Sequence, residues 1–363
     1  MKGIQGCLTN AQKVVHTIFI VGARRMRRLI INGYGAFVGY KKGLVTVKKK
    51  DGNESVPLGN LDQIVITTSG AAISSKLIRT CLKNKVEISI LSSSGRPLGK
   101  VFSITKSHVK LRLAQIEARR TSKGARIAKK IIYSKIRGQS NFLKSLAKNR
   151  TGESKDNILK TSERIDQLSS QLQELPDELS EIRQRLVSIE ADAARAYWDS
   201  IAGILPAELG FSARKKRFEG PKDPVNISLN YGYGVLASEV YTLVEYSGLD
   251  PWFGFLHEDS CRRPALVYDI MELFRAAVVD RVVVTLALRS PNTLLKAIDA
   301  TSGRLERDFR GTLLKEIFER LEQGVSFGGQ QKPIYAHMLS QIRELARYLL
   351  DHSHDWKAFV LGW

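Results

Sequence analysis

Between about Arg28 and Ser107 the hydrophobic residues come in short runs, or alternate with polar ones, and turn residues separate the runs. Leu29 to Asn32, Ala36 to Tyr40 and Leu44 to Lys48 read as strands, and Asp51-Gly52 marks a hairpin turn before Ser55-Val56-Pro57. Ile64 to Thr67 and Val86 to Leu91 are rich in β-branched residues. Between them, Ile73, Leu77, Ile78 and Cys81 recur at helical spacing and predict one helix over 73–84. Gly95-Arg96-Pro97 is a further turn signal. A small β-rich domain carrying one helix follows.

Beyond His108 the period becomes helical and stays so almost to the end. Ile165, Leu168, Leu172, Leu175, Leu179, Ile182, Leu186 and Ile189 recur every three or four residues on one helix face. Pro176 interrupts that stripe, which predicts two helices with a break before it. Core packing explains the stripe better than a coiled coil does. The expected fold is α+β: an N-terminal β-rich domain, then a larger all-α C-terminal domain. With 363 residues the chain exceeds what one core usually organises, and with 43% apolar residues core formation is secure.

Charge changes this picture. The formal net charge is +21, the footprint of a polyanion binder, shared by catalytic and purely structural nucleic-acid proteins. Between Leu111 and Arg150 twelve Lys or Arg, among them Arg112, Arg119, Arg126, Lys129, Lys130 and Lys135, face the single acid Glu117. They form either a phosphate-binding stripe or a solvated helix surface. Arg214-Lys215-Lys216-Arg217, between Pro206 and Pro221, reads as an exposed basic loop, a second candidate DNA contact or a solvated one.

Cys7, Cys81 and Cys261 are an odd number without a CxxC pair, which argues against a disulfide framework or structural zinc and for a reducing compartment. The apolar run Val14 to Ala23 is too short to span a bilayer and is followed by Arg24, Arg25, Arg27 and Arg28. A soluble, cytoplasmic protein without a membrane partner is expected.

Against this basic background, Leu229 to Glu272 collects a histidine and several carboxylates. Asp269 and Glu272 lie three apart in a helical pattern and share a face. Arg275, one turn further on, is a candidate DNA contact or an ordinary surface ion-pair partner of Glu272. His257 follows Gly248-Leu249-Asp250-Pro251 and the apolar Trp252 to Leu256, where it is either a hydrogen-bonded core residue or a metal ligand; HExxH is absent. Glu190 sits beside the apolar stripe, ahead of a run of alanines, as an arginine partner or a ligand. Carboxylate oxygen and imidazole nitrogen together suit magnesium or manganese. Asn230 reads as a hydrogen-bond donor or helix cap, and Asn230 to Gly234 lacks the lysine and spacing of a phosphate-binding loop.

Leu229-Asn230-Tyr231-Gly232-Tyr233, Gly248-Leu249-Asp250-Pro251 with Gly254-Phe255-Leu256-His257, and Asp269-Ile270-Met271-Glu272-Leu273-Phe274-Arg275 in that order closely resemble the CRISPR-associated integrase and endonuclease family of spacer acquisition, Cas one. The likeness extends through Val56-Pro57-Leu58, Ile64-Val65-Ile66, Ile88-Ser89-Ile90 and Gly95 to Gly99, and covers the chain from about Met26. It implies a β-rich dimerisation domain over 26–108 and a helical catalytic domain over 109–363. Residues 1–25 have no counterpart and are either a disordered extension or a mis-assigned start.

The resemblance further implies a Mg2+ or Mn2+ ion held by Glu190, His257 and Glu272, with Asp269 as the accompanying acid. The implied reaction is transesterification that inserts captured DNA into the repeat end of a CRISPR array, and hydrolysis when water attacks instead. The implied partners are DNA, a second copy of the chain, and the small ferredoxin-like adaptation protein Cas two. Two other readings remain open on the residues: a non-catalytic nucleic-acid scaffold whose acids and arginines form structural ion pairs, and the integrase of a self-mobilising transposon.

Overall fold

The computed structural model describes residues 18–21, 27–49, 52–103, 108–257, 263–299 and 301–362. The N-terminal part is two sheets around one helix. Strands β1 (Ile18–Val21), β2 (Arg28–Ile31), β6 (Gln63–Ile66), β8 (Glu87–Leu91) and β9 (Pro97–Val101) form a five-stranded sheet in that order. The three central strands are parallel and the two edges antiparallel. Strands β3 (Phe37–Lys41), β4 (Leu44–Lys49), β5 (Gly52–Pro57) and β7 (Ala72–Ile73) form a four-stranded sheet in the order β5-β4-β3-β7. Helix α1 (Ser75–Lys83), capped by the Ser74 hydroxyl, joins β7 to β8. Each strand run and the helix read from the sequence is present; Asp51 of the expected hairpin signal lies outside the described residues.

The expected extension contains an edge strand. Ile18–Val21 pairs antiparallel with β2, because β2 has only one side filled by β6 and its free backbone groups accept a partner.

The central strands carry apolar residues almost without interruption because both sheet faces are covered. Leu29, Ile31, Ile64, Ile66 and Ile88 join the core of the β-rich part, whereas Ile30, Val65 and Leu91 join that of the helical part. The face toward the helices also carries Arg28, Gln63, Glu87 and Ser89, paired across the strands Arg28↔Gln63↔Glu87. All four are buried.

The helical part comprises α2 (Val109–Arg119), α3 (Ser122–Ala147), α4 (Gly152–Ser170), α5 (Leu179–Ala202), α6 (Pro224–Tyr246), α7 (Ala265–Glu272), α8 (Arg281–Arg289), α9 (Pro291–Leu295), α10 (Arg307–Glu322) and α11 (Ile334–Leu349). The stripe around Pro176 is two helices, α4 and α5, packed with α3, with Ile158, Ile165, Leu172, Ile182, Leu186 and Ile189 buried. A π-helical segment, Ala276–Asp280, links α7 to α8. One β-hairpin, β10 (Gly324–Phe327) with β11 (Gln330–Pro333), interrupts the helices around Gly328 and Gly329, both at positive φ. Trp356, beyond α11, is fully buried and donates to the Gln341 carbonyl at 3.1 Å. Among the described residues no helix is long and apolar enough to cross a membrane.

The two parts are joined by buried charges. Arg28 reaches Gln63 (2.9 Å), Glu239 of α6 (3.1 Å) and Glu322 of α10 (3.1 Å), and lies over the Phe318 ring at 4.6 Å. Gln63 donates to Glu239 at 2.9 Å, and Lys100 reaches Glu87 at 2.8 Å and the Ser238 carbonyl at 2.6 Å. Burial opposes the Arg28 charge, but Glu239 and the neighbouring groups outweigh it and raise its pKa.

Replacing Arg28 by Met is expected to destabilise the protein by about 3–5 kcal/mol in chemical denaturation, because Glu239 is left buried without its cation. The double variant R28M/E239Q should recover part of that loss. An unchanged R28M midpoint rules out this junction as a determinant of stability.

Candidate active site

The loop preceding α7 would be costly to bury without acceptors for its amides. Asp269, fully buried on α7, supplies them. Its Oδ2 accepts from the Phe255 and Leu256 amides at 2.6 and 3.0 Å, and its Oδ1 accepts from the His257 amide at 3.0 Å. Oδ1 also accepts from the Nδ1–H of His257 at 2.7 Å. A Cβ on Gly254 would lie 2.8 Å from Oδ2 and from the Ala265 Cβ, so only glycine lets the loop close over this carboxylate. Gln115 of α2 and Arg183 of α5 hold the same loop by its carbonyls.

With Nδ1 committed to Asp269, the neutral imidazole presents the lone pair of Nε2, which faces Glu272 Oε1 at 4.0 Å. A carboxylate behind a histidine is the recurring support of a metal-binding imidazole. Glu272 is itself buried. Its Oε1 meets Arg275 at 3.0 Å and its Oε2 meets the Lys135 ammonium of α3 at 2.9 Å. The same ammonium contacts Glu190 Oε1 on α5. Glu272 thus faces His257 on one side and shares the Lys135 ammonium with Glu190 of α5 on the other. Among the described residues no three ligand-type side chains are already close enough to form a metal cage.

Two of the sequence readings change. Glu272 and Arg275 are not a surface pair, because the carboxylate is buried and the guanidinium is packed 4.7 Å from the Tyr233 ring centroid. Asn230 is not a helix cap; it lies inside α6, which Asp223 caps, and its Oδ1 accepts from Arg214 at 2.7 Å. Gly234 of the same helix allows the backbone of Gly95, in the β8–β9 turn, to pass where a Cβ would stand 2.1 Å from its carbonyl oxygen.

The basic candidates divide by what they touch. Arg126 and Lys129 each pair with Asp177 at 2.6 Å, and Lys130 pairs with Asp355. Arg112 lies 3.8 Å from Glu245 and Arg119 sits over Phe253. Arg214 is tied to Asn226 and Asn230, while Lys215 and Lys216 are exposed beside it; Arg217 opens a short 3-10 turn, Arg217–Glu219. Lys135, counted with the basic stripe, instead turns inward. Its place one turn from Ile131 and Ile132 and next to Ile136, all buried, was the available signal.

The charges are mutually dependent. Burial would raise the Glu272 pKa, yet Arg275, Lys135 and His257 lower it to about 2. Burial would lower that of His257, but the hydrogen bond and charge of Asp269, then Glu272, raise it. Lys135 is raised by Glu272 and Glu190 against its own burial. Below the site, Asp280 accepts from Tyr197 at 3.0 Å and from Tyr233, and burial raises its pKa.

The family model described as CRISPR associated protein Cas1 matches residues 29–319. A CRISPR-associated endonuclease Cas1 of Archaeoglobus fulgidus is 34% identical over 93% of this chain and 100% of its own length. A second, from Pyrobaculum aerophilum, is 32% identical over 89% of this chain and 99% of its own. Among solved structures, a casposase bound to integration product is similar with a TM-score of 0.77 at 25% identity, covering 91% of this chain and 92% of that one. A Cas1 protein from Thermotoga maritima shares the fold with a TM-score of 0.69 at 22% identity, covering 92% and 98%.

A raised His257 pKa stabilises the fold fully below the unfolded value of 6.5, and that contribution is lost as pH rises through the folded value. In chelator, the stability gap between wild type and His257→Ala is therefore expected to widen as pH falls from about 8 to about 6, as read by thermal melts. Asp269→Asn should lower the His257 pKa, visible in ring-proton NMR, and cost about 1–3 kcal/mol from the weakened charged hydrogen bonds. A His257 titration unmoved by D269N contradicts the assignment.

Proposed function

This chain belongs to the Cas1 family of CRISPR-associated proteins, and from that premise we propose that it is a divalent-metal-dependent DNA integrase and endonuclease that inserts captured fragments into a CRISPR array. The observation that carries the reading is His257 Nε2, aimed by Asp269 and facing Glu272 at 4.0 Å, with Glu190 joined to Glu272 through the Lys135 ammonium. One imidazole nitrogen and two carboxylates are a donor set suited to Mg2+ or Mn2+. The buried Glu272 Oε2, near Lys135 but without a well-directed hydrogen bond, is an acceptor with capacity to spare.

Glu190, His257 and Glu272 would hold the ion, and Asp269 would orient the imidazole without binding metal itself. When bound, the ion supplies Lewis-acid neutralisation of the charge that develops on the attacked phosphate. The 3′ hydroxyl of the fragment forms a new P–O bond as the bond to the 3′ oxygen of the repeat breaks; the attacking hydroxyl gives its proton to solvent and the leaving 3′ oxygen takes one back from solvent. Water in place of that hydroxyl gives hydrolysis. Arg275, packed against Tyr233, and Arg214, anchored on α6, are placed to bind non-bridging phosphate oxygens. The similarity to a casposase bound to integration product supports strand transfer as chemistry this fold performs. The proposed assembly contains a second copy of the chain, Cas2 and DNA.

In a half-site integration assay with Mn2+, fragment, repeat and Cas2, His257→Ala and Glu190→Gln are expected to lose about a hundredfold or more in joining, with duplex affinity retained. Metal-independent binding with no joining or cleavage by wild type favours the scaffold reading instead. Since Arg126, Lys129 and Lys130 are paired with Asp177 and Asp355, the exposed Lys215 and Lys216 should contribute more to the salt dependence of DNA binding. K215E/K216E is expected to flatten the slope of log affinity against log salt by about two; an unchanged slope removes this loop from the interface.

A further inference from the structure

We propose that Lys135 is the resident counter-cation of the metal position: its ammonium bridges Glu190 and Glu272 in the metal-free protein, and a divalent ion binds by displacing it. This rests on the metal reading above and adds a residue that the reading does not need.

Three observations carry it. The ammonium touches Glu190 Oε1 and stands 2.9 Å from Glu272 Oε2, so it holds together the two carboxylates expected to bind the ion. Its side chain is only 11% exposed and its stem leaves the buried face of α3 beside Ile131, Ile132 and Ile136. It is therefore built into the site and is not a surface lysine folded across it. The local charges also balance: Glu190 and Glu272 are matched by Lys135 and Arg275, and the Asp269 charge is committed to three amides and His257.

A dication added to Glu190 and Glu272 while Lys135 and Arg275 still neutralise them meets two like charges at its own ligands. One cation has to yield. Arg275 is a planar group packed against the Tyr233 ring and paired with Glu272, the last residue of α7, whereas Lys135 is a point charge on a flexible stem. Lys135 is the one that moves. Its presence keeps two neighbouring acids from repelling while no ion is bound, and it sets the metal affinity below what the donor set alone provides.

The test is Mn2+ binding to the full chain without DNA, by calorimetry or by loss of the free-ion EPR signal, for wild type, Lys135→Met and His257→Ala. Lys135→Met is expected to bind Mn2+ at least about tenfold more tightly than wild type, to melt at a lower temperature in EDTA, and to gain more than wild type from added Mn2+. Equal or weaker binding by K135M overturns the role of Lys135 while leaving the metal reading standing. Absence of wild-type binding that His257→Ala abolishes overturns the metal reading itself. Should K135M fail to fold, amine labelling of wild type read by mass spectrometry decides: Lys135 modification is expected to rise several-fold on saturation with Mn2+ relative to other lysines, and an unchanged rate overturns the proposal.

Discussion

A carboxylate that water barely reaches has to be answered by cations from the chain itself, and Glu272 is that group here. Arg275 arrives from the next turn of its own chain segment, Lys135 from α3, and His257 from the loop that Asp269 holds. Removing any of these partners leaves the others buried with excess charge. This mutual dependence brings α3, α5, α7 and the 249–257 loop together at one point, and it gives three neighbouring side chains pKa values displaced from their ordinary positions.

The two acids of α7 show how environment divides labour between like groups. Asp269 spends its four hydrogen bonds on holding a loop and one imidazole nitrogen, which leaves it no part in reaching a substrate. Glu272, three residues on, turns its oxygens to Arg275, Lys135 and His257. The same device recurs at the junction of the two parts, where Arg28, Gln63, Glu87 and Glu239 satisfy one another between a sheet face and a helix. Buried charge thus serves both the junction of the two parts and the candidate site. The orientation matters to the site because the Gly95 turn of the sheet packs against the helix that carries Tyr233 and Asn230.

Much of the fold could be read along the chain. The strands of the β-rich part carry period-two or continuous apolar runs, α1 carries helical spacing, and Pro176 marks the α4–α5 break, since these are local consequences of burial and backbone geometry. The β10–β11 hairpin was missed although Gly328-Gly329 is a two-residue hairpin signal, because helical period on both sides masked it. Trp356 fills the core from a short segment without period, which gives no sign of it along the chain. Glu190, His257 and Glu272 were singled out by residue type and by family resemblance, not by any spacing that could place an acid of α5 beside a loop far along the chain.

What the amino-acid sequence determined by itself was local: the central strands and helix of the β-rich part, the helix break at Pro176, the shared helical face of Asp269 and Glu272, and a surplus of positive charge that calls for a polyanion. Tertiary structure alone decided which of those acids holds the loop and the imidazole Nδ1 and which faces Nε2, and it drew Lys135 out of an apparently solvated stripe into the space between Glu190 and Glu272. The reason is that hydrogen-bond commitment and desolvation belong to three-dimensional neighbours, and no periodicity along one helix records what another helix will place against it.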